Sequence, residues 1–355
     1  MKIGIVGCGI ISRHHLAAAA RYPGATVIGV ADVDLANART QAGRFGVPYA
    51  FASLSDLLNL SPDIVHVLTP PATHEQLACE ALAAGSHVYV EKPMAITEAE
   101  CLNMQAAAAR AGRELCVGHS MLYMPAILRA RQLLGTPAIG ELVHAAAGFN
   151  YDVRRNPSFR EGHWSKSLPG GLAEDIAVHP VSILVGLLGE PRRIVELSRG
   201  AAEIPDGKPA ELLGALECER GLGALSISLR ARPDMAVVDL SCSRAMMRLN
   251  LASMSLTIYR EHRVPKAVDR ALVNLDVAAQ LTAGTVSAAW KTLRGQIDGS
   301  WGIVPLIHAF YDAVAAGRAA PFGAAEGIRA VKVLRALWPE SRASAKKEAT
   351  PCAFS

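Results

Sequence analysis

The chain opens with short apolar runs alternating with amphipathic segments. Lys2 to Val6, Val27 to Ala31, Asp63 to Leu68 and His87 to Val90 have the length and composition of buried strands. Between them, Leu16 to Arg21, Leu35 to Phe45, Ser53 to Leu60 and Gln76 to Ala84 read as helices, with Ser53 as a cap and Gly46 and Gly85 as stops. Val47 to Ala50 adds a short third strand, Thr97 to Ala111 a helix with a capping sequence, and Glu114 to Gly118 a last strand. This rhythm predicts an α/β unit with a doubly wound parallel (Rossmann) sheet over residues 1–120.

The pattern then changes. A helix from Ile127 to Leu134 follows Met124-Pro125, and beyond Glu141 strands succeed one another across short turns such as Arg220-Gly221. They are Leu142 to Tyr151, Arg192 to Arg199, Leu212 to Glu219, Leu222 to Leu229, Val237 to Ser243, Ala245 to Leu251 and Ser255 to Tyr259. Helices return at Ala267 to Ala283, Val304 to Ala316 and Ala324 to Trp338. The expectation is an α+β domain over residues 121–338 with a large, mostly antiparallel open sheet, and a polar, disordered tail over 339–355. Several of these strands are apolar on both alternating sets, so the sheet is expected to form a homodimer or homotetramer through its exposed face.

The first fifteen residues carry the clearest chemistry. Gly7 lets the chain turn sharply after the first strand, Gly9 lets a pyrophosphate approach the backbone, and the start of the next helix receives its charge. Ser12 stands where a third glycine would close the motif. Asp32 ends the second strand, about 20 residues on, where a carboxylate accepts the adenosine ribose hydroxyls. The cofactor set is Gly7, Gly9, Ile10, Ile11 and Asp32, and Asp32 favours NAD over NADP, opposed only by Arg39 and Arg44.

With 355 residues the chain can bury two cores. A net charge of +4 with 5% aromatic residues implies no nucleic-acid surface, and no apolar stretch is long enough to span a bilayer. Seven cysteines with no Cys-x-x-Cys pair, and a strand where a signal peptide would stand, point to the cytoplasm. The His and Cys residues show no zinc spacing, so no metal is expected.

Three further stretches lie at predicted strand ends or between strands. In Thr69-Pro70-Pro71-Ala72-Thr73-His74 the prolines force the chain out of the sheet at its ligand-binding edge, or cap a helix with His74 exposed. Glu91-Lys92-Pro93 places a lysine at another such edge, to meet a substrate hydroxyl or to pair with its neighbour. In Gly170-Gly171-Leu172-Ala173-Glu174-Asp175-Ile176-Ala177-Val178-His179-Pro180, Asp175 and His179 share a helical face as a general-base pair or a structural one. Pro180 places the helix start close to Asp175.

The glycine turn, Glu91-Lys92-Pro93 and the double glycine leading to Asp175 and His179 together resemble the glucose–fructose oxidoreductase, inositol dehydrogenase and rhizopine-catabolism family, Gfo/Idh/MocA, from Met1 to about Trp338. The resemblance implies a catalytic set of Lys92, Asp175 and His179, and cofactor contacts from Thr69, Pro70, His74, Glu91, Lys92 and Trp164. It implies hydride transfer between nicotinamide and a carbinol carbon of a sugar, polyol, sugar acid or nucleotide sugar, with His179 as base, Asp175 orienting it and Lys92 stabilising the alkoxide. Two alternatives stay open: a tightly held NAD serving elimination or epimerisation, and a catalytically silent NAD-binding protein. Leu122, Ala177 and Ser182 depart from the family pattern, and Leu122 and Ser182 are expected near the groups that grip a polyol. Candidate substrate contacts are His119, Tyr123, Arg154, Arg160 and His163; the basic loop carrying the last three, with Arg155 and Lys166, suggests an anionic substrate or merely a solvated surface.

Overall fold

The computed structural model of the chain describes residues 1–153, 162–201, 204, 208–262, 264–294, 300 and 302–338. The first unit is built from β1 (Lys2–Val6), α1 (Ser12–Arg21), β2 (Thr26–Ala31), α2 (Leu35–Phe45), β3 (Ala50–Phe51), α3 (Leu54–Leu58), β4 (Ile64–Val67), α4 (His74–Ala83), β5 (His87–Val90), α5 (Glu98–Ala111) and β6 (Leu115–Val117). Its six strands run in the order β3-β2-β1-β4-β5-β6, all parallel. Strand order reverses between β1 and β4, so the crevice at their C-terminal ends is where such a sheet takes a ligand. The third strand begins later than the apolar pattern suggests, because Pro48 has no N–H to give to the ladder.

The second unit contains α6 (Pro125–Leu133), β7 (Leu142–Asn150), α7 (Leu172–Leu188), β8 (Pro191–Gly200), β9 (Pro209–Cys218), β10 (Gly221–Ser228), β11 (Met235–Cys242), β12 (Met246–Asn250) and β13 (Ser255–Tyr259). These seven strands form one sheet in the order β13-β12-β11-β7-β10-β9-β8. All neighbours are antiparallel except β7 and β10, which pair parallel. One face packs on α7 through Ala145, Ala147, Leu212, Leu216, Leu225 and Ile227, all buried. The other face carries Val195, Leu197 and Leu213, at 55%, 72% and 58% exposure.

Three helices complete the chain: α8 (Lys266–Leu293), α9 (Ile303–Ala315) and α10 (Ala324–Leu337). α8 runs ten residues beyond the expected end at Ala283, since the roughly 1 kcal/mol cost of Gly284 does not stop a helix whose apolar pattern continues. Its Gln280 side chain accepts from Ile258 N at 2.8 Å and donates to Ile258 O at 2.9 Å, satisfying the edge of β13. α9 and α10 return to the first unit, packing on α1 and on α5 and β6. The tail over 339–355 lies outside the described residues.

α7 differs most from expectation. It starts at Leu172, three residues before Asp175, and carries Pro180 in its interior. Full burial of Val181, Ile183 and Leu184 contributes about 1.5–3 kcal/mol each, which outweighs the roughly 3 kcal/mol cost of an interior proline.

Candidate active site

The cofactor edge is assembled from the strand ends of the parallel sheet. Gly7 has φ +94°, and a Cβ there would lie 2.7 Å from the Leu68 carbonyl, so no side chain fits where β1 and β4 leave the sheet. A Cβ on Gly9 would meet nothing within 4 Å, which leaves its backbone open to a ligand. Ser12 is fully buried and its hydroxyl donates to Gly9 O at 2.6 Å, so it braces the turn that a third glycine would otherwise close. No side chain caps the N-terminus of α1, and Ile10 there is 65% exposed while Ile11 is half-buried. Asp32 accepts from Cys8 N at 2.7 Å and Asp34 N at 2.9 Å, which fixes the carboxylate beside the glycine turn.

His74 is not the exposed residue of a proline-capped helix. It is completely buried, with Nε2 2.7 Å from Thr69 O and Nδ1 3.1 Å and 3.2 Å from Pro93 O and Met94 O. The ring therefore lies between the segment after β4 and the segment after β5, with a single N–H to donate to one of them when neutral, leaving Thr69 and Pro70 at the surface of the crevice. Burial lowers its pKa, outweighing the carbonyls around it.

Lys92 and α7 meet across the crevice. Lys92 Nζ lies 2.9 Å from Asp175 Oδ1 and 3.4 Å from Asp175 O, in an ion pair whose side chains are 18% and 13% exposed. His179 stands one helical turn further along α7. Burial first, then the charges of Lys92 and His119, push its pKa well below the usual imidazole value, so it is neutral at pH 7. Among the described residues no hydrogen bond joins it to Asp175, whose carboxylate pairs with Lys92. His119, just after β6, is 3% exposed, and neither ring nitrogen has a partner among the described residues. Burial lowers its pKa to about 4, with Glu91 opposing and Lys92 reinforcing the shift.

The N-terminus of α7 is clamped from behind. Lys208 Nζ donates to Leu168 O and Pro169 O, both at 2.9 Å, and Glu174 accepts from Gly170 N at 2.8 Å while pairing with Arg335 of α10. The double glycine answers this crowding: a Cβ on Gly170 would lie 2.5 Å from the Trp338 ring.

Two family models match the chain: one described as oxidoreductase family, NAD-binding Rossmann fold, over residues 1–119, and the Gfo/Idh/MocA C-terminal domain over residues 127–246. The chain belongs to the Gfo/Idh/MocA family. Within it, the 1-carboxy-3-chloro-3,4-dihydroxycyclohexa-1,5-diene dehydrogenase of Comamonas testosteroni is 32% identical over 200 residues, covering 56% of this chain and 49% of that protein. The inositol 2-dehydrogenase of Klebsiella pneumoniae is 29% identical over 201 residues, 56% of this chain and 57% of that one. The chain thus spans about half the length of the curated relatives it matches. Among solved structures, UDP-N-acetylglucosamine 3-dehydrogenase GnnA from Acidithiobacillus ferrooxidans superposes with a TM-score of 0.74 at 20% identity, covering 95% of this chain and 96% of that one. That likeness is one of fold.

The remaining residues expected from the Gfo/Idh/MocA pattern distribute unevenly. Burial lowers the pKa of His163, with Asp175 opposing the shift and Lys166 and Lys92 reinforcing it. Ser165 N donates to its Nδ1 at 3.3 Å, placing the proton of the neutral ring on Nε2, and Trp164 packs against it with centroids 5.4 Å apart. Tyr123 packs its ring edge-on against Phe322, which also meets His119, and burial raises the pKa of its hydroxyl. Leu122 and Ser182, expected near the groups that grip a polyol, are both buried. Leu122 packs where Gly186 leaves room, and Ser182 donates to His179 O at 2.8 Å. Arg154, Arg155 and Arg160 lie outside the described residues. The pKa of Tyr151, just after β7, is raised first by burial and then by Asp234 and Asp175, against Lys92.

Proposed function

We propose that the protein is an NAD-dependent dehydrogenase that moves a hydride between nicotinamide and a carbinol carbon of a sugar, polyol, sugar acid or nucleotide sugar. The observation that carries this reading is the Lys92–Asp175 ion pair beside a neutral His179, at the C-terminal edge of an NAD-binding sheet. The residues of that edge suit NAD: an open Gly9, an α1 N-terminus without a side-chain cap and the anchored Asp32 carboxylate, which accepts ribose hydroxyls and repels a 2′-phosphate. Bound NAD supplies the hydride acceptor at nicotinamide C4.

The chain supplies the proton chemistry. His179, held neutral, accepts the proton of the substrate hydroxyl. Lys92 donates a hydrogen bond to the same oxygen and stabilises the alkoxide as it forms. Asp175 holds the ammonium in place and offsets its charge while the site is empty of substrate. His119 brings two unpartnered ring nitrogens to this cluster, suited to a substrate hydroxyl.

An anionic substrate agrees with the basic loop that ends at His163 and Lys166, and the uncovered apolar face of the second sheet supports a homo-oligomer. Among the described residues no helix is long and apolar enough to cross a membrane, and the six described cysteines are unpaired, in keeping with a cytoplasmic enzyme.

The test is cofactor reduction across neutral sugars, polyols, sugar acids and nucleotide sugars, with NAD and NADP. At least tenfold higher catalytic efficiency with NAD on one of these classes is the expected result, by the ribose-carboxylate contact. No reduction with any of them removes the dehydrogenase reading, and an uncharged sugar as best substrate removes the anionic one.

A further inference from the structure

A line of buried polar side chains runs from the catalytic edge through the first unit to the C-terminal helices. Glu91 Oε1 lies 3.2 Å from His15 Nε2, His15 Nδ1 lies 2.8 Å from His66 Nδ1, and His66 Nε2 lies 2.9 Å from the Tyr311 hydroxyl. His15, His66 and Tyr311 are all 0% exposed. They come from α1, β4 and α9, so the line joins three elements that are distant in sequence.

With one proton on each ring, a single arrangement satisfies all three contacts. The Glu91 carboxylate only accepts, so His15 carries its proton on Nε2. His15 Nδ1 then accepts from His66 Nδ1–H, and His66 Nε2 accepts from the Tyr311 hydroxyl. Every donor in the line points toward Glu91. The rings are held from the sides as well: Tyr89 stacks on His66 at 5.1 Å and meets His15 edge-on at 5.2 Å. Apolar side chains at these positions would spare the cost of burying two imidazoles, and the one ionised group the line serves is Glu91.

We propose that His15, His66 and Tyr311 are positioning residues for Glu91, fixing its carboxylate as the acceptor for a vicinal diol of the nicotinamide nucleotide. The inference rests on the dehydrogenase reading above. Among the described residues Glu91 Oε2 accepts only the Lys92 amide, at 3.2 Å, and keeps lone pairs for a ligand. Its residue is 9% exposed at the end of β5, beside Lys92.

The environment makes His15 decisive. Burial pushes the Glu91 carboxyl up, but the His15 hydrogen bond, the charge of Lys92 and the Lys92 amide bring it below its usual value. The other groups that face it stay neutral near pH 7: burial lowers His74 and His119 and raises Tyr89 and Cys116. Without the His15 donor, burial acts against Lys92 alone, and the carboxyl takes up a proton as the pH falls.

The experiment is NADH binding by fluorescence titration from pH 5.5 to 8.5, for the wild-type chain, His15→Leu, His15→Gln and Tyr311→Phe. Wild-type affinity is expected to be flat across the range. His15→Leu should bind about tenfold more weakly, by loss of a hydrogen bond to a charged group, and weaken further toward low pH. His15→Gln, whose amide can donate to Glu91, should recover most of the affinity and the flat profile. Tyr311→Phe, which removes one hydroxyl and preserves the packing, should weaken NADH about two- to fivefold. A His15→Leu or Tyr311→Phe protein that binds NADH as the wild type does at every pH overturns the positioning role, whatever happens to melting temperature. A wild-type chain that binds no NADH overturns the dehydrogenase reading itself.

Discussion

At the scale of single residues, the site separates charge from proton transfer. The Asp175 carboxylate is committed to Lys92, so Asp175→Ala and Lys92→Ala should have similar effects, each releasing or removing the ammonium that meets the alkoxide. His179→Ala removes the proposed proton acceptor. Each substitution should lower turnover by about 10²–10⁴-fold, with losses far from additive, while NADH affinity stays within about threefold. The discriminating measurement is the pH profile of kcat/KM. It should keep its acid limb in the Asp175 variant and lose it in the His179 variant. Wild-type turnover by His179→Ala would remove the proposed base. The residue types were legible in the sequence, but their pairing was not: a four-residue spacing puts Asp175 and His179 on one face, and only the approach of Lys92 from β5 decides which partner the carboxylate takes.

At the scale of elements, α7 shows local rules giving way to packing. Pro180 argues for a helix start near Asp175, yet the helix begins at Leu172 because its burial outweighs the lost hydrogen bond. The start is set by Gly170 and Gly171 and by what lies behind them. Gly170→Ala would drive a Cβ into Trp338 and disturb the Glu174–Arg335 pair at the helix entrance. The expected outcome is a loss of about 1–3 kcal/mol in stability, with a lower kcat from the displaced Asp175. Thermal melting and steady-state kinetics check it, and an unchanged melting temperature would show that α10 does not brace α7.

At the scale of the whole molecule, buried imidazoles tie stability to pH. His66, His74, His119 and His179 all have pKa values lowered first by burial, so the unfolded chain binds more protons below the usual value of 6.5. Stability is therefore full above pH 6.5 and falls as the pH drops; for His119, with its pKa at about 4, the loss approaches on the order of 3 kcal/mol by pH 4. Melting temperature measured from pH 8 to 4.5 should fall steeply below 6.5, and a flat curve would contradict the neutral, buried rings. The uncovered sheet face gives a second expectation. Val195, Leu197 and Leu213 lie on neighbouring strands of that face, with Leu197 directly opposite Leu213. Leu213→Asp should shift the chain to a monomer in sedimentation without unfolding it, and a monomeric wild type at micromolar concentration would contradict assembly through this face.

The sequence by itself determined the alternation of elements, the glycine turn with its acid, and the residues available for chemistry, because periodicity and backbone geometry are local properties. It carried the two sheets and the family resemblance. The tertiary structure decided what each polar side chain meets. Asp175 faces Lys92, His74 is spent on backbone carbonyls, and Leu122 is core. His15, His66 and Tyr311 become one line only when α1, β4 and α9 pack together. The physical reason is that burial and hydrogen bonding depend on neighbours brought from far along the chain, and no spacing within one segment records them.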